Sequence, residues 1–396
     1  MKIPKINLLF KIIIAIILGI LCAWWFPVWL DRIFMTFNAI FSQFLGFIIP
    51  LIILGFVTPA IAEIGSNSGK ILFFTVLLAY ASTSFAGFLS FGVGDAIFPN
   101  IVERNTFSDN LNQPQLPEFF TVEMPPVMGI MSALVLSFVA GLSLSMLSAP
   151  TLLASCKEFR NIVSLTINKV VIPLLPIYIF GIFLKMSYTG EVATILVSFA
   201  KIILIIFALH IFLLLFQYCI AGLVAKKNPI KLLLTMMPAY FTALGTQSSA
   251  ATIPVTLRQT IKMGVREETA GFVIPLCATI HMSGSAMKIV ACAIAIMIMQ
   301  GIPYDAGMFA EFICMIGISI IAAPGVPGGA IMASLGLLAS ILGFSQEDQA
   351  LMIALYIAMD SFGTACNVTG DGFIAIIINR CFPASALSRK ATTDII

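Results

Sequence analysis

Gly245-Thr246-Gln247-Ser248-Ser249-Ala250-Ala251-Thr252-Ile253-Pro254 and Ala322-Ala323-Pro324-Gly325-Val326-Pro327-Gly328-Gly329-Ala330 each interrupt a long apolar segment near its middle. The divided segments are residues 229–262 and 305–344. Proline removes a backbone donor and glycine favours left-handed turns, so neither run carries a helix through its centre. Each segment is predicted as two half-helices meeting at a tip. A pair of interrupted hydrophobic segments of this kind is the best sequence pointer to a binding site at the middle of a bilayer.

The rest of the chain supplies the bilayer context. Of 396 residues, 60% are hydrophobic and only 10% charged, with a mean hydropathy of +1.07, which excludes an ordinary soluble domain. A helix crossing the hydrocarbon core needs roughly 20 mostly apolar residues. Such runs fall at residues 7–30, 33–62, 71–98, 127–150, 161–187, 191–224, 264–300 and 346–379, eight spans in all. The first is too long for a signal-peptide core and no small-residue cleavage site follows it, so it is predicted to stay as a span.

Basic residues orient the spans, because short cytoplasmic loops carry the Lys/Arg excess. With the N-terminus inside and both broken segments read as re-entrant hairpins, Lys2, Lys5, Lys11, Lys70, Lys157, Arg160, Lys226, Lys227, Lys231, Arg258, Lys262, Arg266, Arg380, Arg389 and Lys390 face the cytoplasm. Only Arg32, Arg104 and Lys185 lie outside, a ratio of 15 to 3. Counting either hairpin as one span would invert everything after it and spoil this asymmetry. Both termini are therefore expected to be cytoplasmic, with the hairpins entering from opposite sides as halves of an inverted repeat. The polar loop 99–126, with Glu103, Asp109, Glu118, Glu123 and several prolines, falls outside and is expected to be mobile and without chemistry. Net charge is +3, and no basic run is concentrated enough to neutralise a nucleic-acid backbone. Eight cysteines without a Cys-x-x-Cys pair read as small hydrophobes.

The last span concentrates polar groups. Asp360, Thr364, Asn367 and Asp371 recur at i, i+4, i+7 and i+11, one face of a helix. An ionised carboxylate at that depth is costly, at least about 2.5 kcal/mol on insertion scales, and faces a cavity or a counter-charge. The seventh span reads Thr279-Ile-His281-Met282-Ser283-Gly284-Ser285-Ala-Met-Lys288, and Gly284 among polar residues suggests local unwinding with free carbonyls for a cation. Ser248 and Ser249 place hydroxyls and backbone N–H groups at a half-helix N-terminus, where a carboxylate is favoured. An α-amino acid needs that anion site and an anion such as Asp360 for its ammonium. An aspartyl-protease reading fails, because Asp360 and Asp371 stand roughly 16 Å apart on one helix and cannot share a proton. A channel is disfavoured because the paired hairpins and convergent polar groups suit alternating access rather than an open filter.

At these residues the chain resembles the dicarboxylate/amino acid:cation symporter family, the glutamate-transporter-like proteins. Four motifs match in order: Ser248-Ser249-Ala250-Ala251-Thr252-Ile253-Pro254-Val255-Thr256 at the first tip, His281-Met-Ser-Gly-Ser-Ala286 where the family has Asn-Met-Asp-Gly-Thr-Ala, Gly325-Val-Pro-Gly328 at the second tip, and Asn367-Val-Thr-Gly-Asp371 in the last span. The resemblance implies an all-α membrane protein of eight transmembrane helices and two re-entrant hairpins, an inverted-repeat, elevator-type transporter working as a homotrimer in the bilayer. Residues 1–70 and 127–190 would form its scaffold. Residues 71–98 and 191–385 would form its transport domain. By the same resemblance Ser248, Ser249, Ser285, Val326, Asp360, Gly363, Thr364 and Asn367 would line the substrate site, Ser249 and Asn367 meeting the carboxylate and Asp360 the α-ammonium. Asp371 would ligate one sodium with carbonyls around His281 and Asn367. Thr279, Met282 and backbone near Ala323 would hold a second, and Tyr80, Thr83 and Ser84 belong to a third, deeper cation site. No organic cofactor is implied.

The departures bear on specificity. Gly363 stands where members that carry acidic amino acids have an arginine, and Gln247 and Ser361 stand at its alternative positions. Without a guanidinium an acidic side chain loses a charge-assisted partner, so a small neutral amino acid is expected as cargo, moved into the cell with sodium. Ser283 replaces the motif's Asp, which removes a formal charge from the third cation site and, with His281, keeps proton coupling open. An acidic amino acid or a dicarboxylate is the alternative cargo. Lys288 stands where relatives have tyrosine. It reads either as a structural partner of Asp360 or as a tethered cation replacing a transported ion. The compact chain and short loops suit a bacterial inner membrane.

Overall fold

Pro27 ends the first apolar run earlier than its hydropathy does, because the residue before a proline avoids helical geometry. In the computed structural model, which describes residues 8–66, 70–102, 117–147, 149–188, 192–322 and 328–382, helix α1 (Leu8–Cys22) stops before a turn and α2 (Val28–Ser66) begins beyond it. All three tryptophans of the chain, Trp24, Trp25 and Trp29, cluster at this bend. They are 83%, 87% and 60% exposed.

Every regular element among the described residues is helical. After α3 (Lys70–Ile97) come α4 (Ile130–Met146), α5 (Pro150–Thr166) and α6 (Ile172–Tyr188), the last two joined by a π-helical turn at Ile167–Val171. Then follow α7 (Val192–Ala225), α8 (Pro229–Thr246), α9 (Ser249–Lys262), α10 (Glu267–Ile280), α11 (Ser283–Gln300), α12 (Ala306–Ser319), α13 (Gly329–Ser340), α14 (Gln346–Ala358) and α15 (Asp360–Cys381). Among the described residues six stretches are long and apolar enough to cross a membrane: Val28–Pro59, Lys70–Asn100, Pro150–Ser187, Leu196–Ala225, Glu267–Gln300 and Asp360–Cys381. The first and fourth expected spans fold as helices of only 15 and 17 residues.

Both broken segments double back on themselves. Gln247 adopts a left-handed conformation at φ 53°, ending α8, and the Ser248 hydroxyl caps α9 by accepting from the Ala251 N–H at 3.3 Å. Thr260 then meets the Met236 sulfur at 4.0 Å, twelve residues to either side of Ser248. In the second segment, the Ser319 hydroxyl donates to the Ala333 carbonyl at 2.7 Å, fixing α12 against α13.

The helices pack in two groups. α2 lies against α4, α5 and α6, and α1 against α6. α15 lies against α7, α8, α9, α10 and α11, while α3 packs on α11 and α12. Arg266 fastens the second group by binding the Asn379 side chain and the Asn379 and Phe382 carbonyls, which caps the C-terminal end of α15. Between the groups, α13 touches α2 and α4, and Lys185 on α6 pairs with Glu347 on α14. The loop expected to be mobile is fastened in its described part, where the Arg32 guanidinium lies 4.2 Å from the Phe119 ring centroid and donates to the Pro117 carbonyl, and Thr36 accepts from the Phe119 N–H. Residues 103–116 of that loop, and both termini, lie outside the described residues. All eight cysteines are free.

Candidate functional site

The polar stripe of the last span lies on α15, and its register is set where that helix meets α11. A Cβ on Gly284 would stand 2.7 Å from the Cys366 Cβ and 2.8 Å from the Gly363 carbonyl oxygen. The two backbones approach too closely there for any side chain. Gly284 therefore serves packing, not the unwinding expected of it. The helix breaks two residues earlier, at His281 (φ −98°, ψ 106°) and Met282 (φ −129°, ψ 44°), and Gly284 lies in the first turn of α11. Asn367 closes that broken end, since its Oδ1 accepts from the N–H groups of Gly284 at 2.8 Å and Ser285 at 3.2 Å. Its Nδ2 donates to Ser285 Oγ at 3.0 Å, and the Tyr356 hydroxyl donates to the same oxygen at 3.1 Å.

Asp360 begins α15, just after a break at Met359. One of its carboxylate oxygens faces the fully buried Lys288 ammonium at 3.2 Å. The other accepts the Gly328 N–H at 2.9 Å, from the residue that opens α13 beside the second tip. The ammonium also donates to the Met359 carbonyl at 3.4 Å and stands 3.7 Å from the Tyr356 ring centroid. Gly363 gives it room, because a Cβ there would lie 2.4 Å from the lysine Cε and 2.5 Å from its Nζ. The lysine thus lies against the position from which an arginine side chain would otherwise rise.

Asp371, deeper along α15, is held by imidazole. His281 Nδ1–H donates to its Oδ1 at 3.0 Å, and His281 Nε2 lies 3.0 Å from Ser82 Oγ. Gln217 on α7 donates to Ser82 Oγ at 3.1 Å and to Ser283 Oγ at 3.4 Å. With Gln217 donating, the Ser82 hydroxyl hydrogen can go to Nε2, while Gln217 Oε1 is buried without a hydrogen-bond partner. His210, on the same face of α7 seven residues earlier, donates from Nε2 to the Gly284 carbonyl at 3.1 Å. Sequence reading passed over Ser82, His210, Gln217 and Tyr356. The spacing of two polar residues at i and i+7 in the apolar second half of α7 was a signal for His210 and Gln217.

The remaining expected residues divide. Thr364 is buried on the α15 stripe. Thr83 accepts from the Met282 N–H at 3.3 Å, which puts it at the α10–α11 break. Tyr80 and Ser84 face α12 instead: the Tyr80 hydroxyl donates to the Cys314 carbonyl at 3.1 Å, and both residues line Gly317. Ser84 Oγ is buried without a hydrogen-bond partner. Thr279 is exposed and its hydroxyl turns back to the Leu276 carbonyl at 2.7 Å. Ser248 and Ser249 cap and open α9, which packs along α15. Ala323 and Val326 lie outside the described residues.

Residues 8–381 match the sodium:dicarboxylate symporter family. The chain belongs to that family. This symporter is 30% identical over 386 residues to the serine/threonine transporter SstT of Acinetobacter baumannii (strain AYE), covering 93% of this chain and 95% of the relative. It is 28% identical over 402 residues to the SstT of Acinetobacter baylyi, covering 95% and 98%. It also matches excitatory amino acid transporter 2 of Mus musculus at 35% identity over 156 residues, 39% of this chain and 27% of the relative. The protein is a sodium-coupled symporter of the membrane and not an enzyme.

Proposed function

We propose that this symporter imports a small neutral amino acid of the serine, threonine or alanine type together with sodium. The observation that carries this reading is the absence of an arginine: Gly363, Gln247 and Ser361 stand at the three positions from which one would rise, so an acidic side chain finds no guanidinium to pair with. The serine/threonine transporters to which the chain is 28–30% identical support the same cargo.

Asp360 would receive the substrate's ammonium, and Asn367 and the N–H groups at Ser248 and Ser249 its carboxylate, with Thr364, Ser285 and Val326 lining the pocket. Asp371, with carbonyls at His281 and Asn367, would ligate one sodium. Met282, Thr279 and Ala323 would bind a second, and Thr83, Tyr80 and Ser84 a third. The grouping of α1, α2, α4, α5 and α6 apart from α3 and α7–α15 is what a scaffold and a sliding transport domain would require; the reading adds eight spans, two re-entrant hairpins and a trimeric assembly by resemblance to the family. Both termini would face the cytoplasm of a bacterial inner membrane.

A second cargo, an acidic amino acid or a dicarboxylate, is favoured by one observation: the Lys288 ammonium lies against the position from which the missing arginine would rise, so a cation is present beside Gly363. Thermal stabilisation of the purified protein separates the two, since a ligand that binds only the folded state raises its apparent stability. Sodium-dependent stabilisation by serine, threonine or alanine is expected. Stabilisation by aspartate or succinate alone would replace this cargo with the second.

A further inference from the structure

Each carboxylate oxygen of Asp360 already has a partner in the protein itself. Lys288 supplies a full positive charge to Oδ1 at 3.2 Å, and the second hairpin supplies the Gly328 N–H to Oδ2 at 2.9 Å. The carboxylate is 4% exposed and the lysine 0%, so solvent does not screen either charge. A substrate ammonium arriving at Asp360 would set a second cation against the first in that dry site. Like charges so placed repel strongly, so one must leave.

We infer that Lys288 is a built-in substitute for the substrate's ammonium: it neutralises Asp360 when no amino acid is bound, and it yields Asp360 when one is. This rests on the reading of Asp360 as the ammonium site. The substitution is chemically close, since both groups are primary ammonium ions with three N–H donors. Gly363 belongs to the same device. Any side chain there would collide with the lysine's Cε and Nζ, so the flat backbone is what lets the ammonium reach Asp360 from α11. The functional consequence lies in the return limb of the cycle. A carrier that has released its cargo must recross the bilayer with Asp360 compensated, because a naked carboxylate at that depth is costly. Lys288 provides the compensation from within, and no cation need be carried back.

The test compares net uptake with exchange in proteoliposomes of the full-length protein. Net uptake, into vesicles without internal amino acid, requires the unloaded carrier to return. Exchange, into vesicles preloaded with unlabelled amino acid, does not. Lys288→Met keeps the length of the side chain and removes its charge. It is expected to lower net uptake at least tenfold while leaving exchange within about twofold. Lys288→Ala opens space for a free amine, and millimolar methylammonium inside the vesicles is expected to restore part of its net uptake. A lysine that only holds the fold would lower both fluxes together and would not answer to methylammonium. Parallel loss, or retention of both fluxes, therefore overturns the inference. Wild-type exchange of an acidic amino acid instead of a neutral one would overturn the cargo reading while the same two fluxes still judge Lys288. Exchange of succinate alone would sink both, since that substrate has no ammonium for Lys288 to replace.

Discussion

Lys288 and Asp360 form a buried pair whose two halves are not equivalent under mutation. Breaking such a pair by removing one partner costs about 3–5 kcal/mol, because the other charge is left uncompensated. Lys288→Met is expected to lower the unfolding temperature in detergent, and Lys288→Met/Asp360→Asn to recover much of the loss. If Lys288 substitutes for the substrate's ammonium, saturating serine or threonine will raise the unfolding temperature of Lys288→Met more than that of the wild type. An equal rise in both would count against that role. The sequence exposed the participants but not their geometry. Lys288 was legible as a lone ammonium in an apolar run, and Asp360 as part of a stripe. That the ammonium lies flat on Gly363 depends on the crossing of α11 and α15, which no spacing encodes. His281 was legible as the replacement of a motif residue, whereas its bond to Asp371 depends on a rotamer fixed by Ser82 and Gln217 from two other helices.

Among the elements, hydropathy and punctuation fixed most of the plan. The first tip fell where glycine and serine interrupt an apolar run, and Ser248 is the N-cap of α9, while residues 323–327 of the second lie outside the described residues. The break in the last span was a miss. The span divides at Met359, beside Asp360, a capping residue by type whose carboxylate caps nothing here because Lys288 and the Gly328 N–H hold it from outside. Gly284 was assigned to the wrong task, since a glycine needed for close helix approach looks in sequence like one needed for a bend. Its packing role predicts that Gly284→Ala, which sets a methyl against the Cys366 Cβ and the Gly363 carbonyl, destabilises by about 1–3 kcal/mol. Thermal unfolding would reveal this, and an unchanged midpoint would mean that α11 and α15 can part at no cost. Arg266→Ala should cost about 2 kcal/mol through the charge-assisted bonds it gives to the end of α15. Faster amide exchange confined to the last turn of α15 would be its signature.

For the molecule as a whole, the ion pair between the two helix groups matters more for motion than for stability. Lys185 and Glu347 are 37% and 67% exposed, and an exposed ion pair contributes only about 0–1 kcal/mol. Charge-neutral variants at either position should leave the unfolding midpoint nearly unchanged. If the α7–α15 group slides past α2 and α6 during transport, however, this contact must open in every cycle. Lys185→Cys/Glu347→Cys, in a background cleared of the native cysteines, is expected to lose uptake on oxidation and regain it on reduction. Uptake that survives complete cross-linking would rule out movement between these two points. The three tryptophans offer a different vantage. Aromatic rings of this kind settle at the headgroup level of a bilayer, and every indole in the chain belongs to the single bend between α1 and α2. The native ultraviolet emission of the protein therefore arises at one place on the outer rim of the first helix group, far along the chain from the α15 stripe. Quenching by lipids brominated at successive acyl positions would measure how deep that rim sits, with no label attached, and a depth that stays constant while substrate turns over would identify the rim as the part of the machine that stands still.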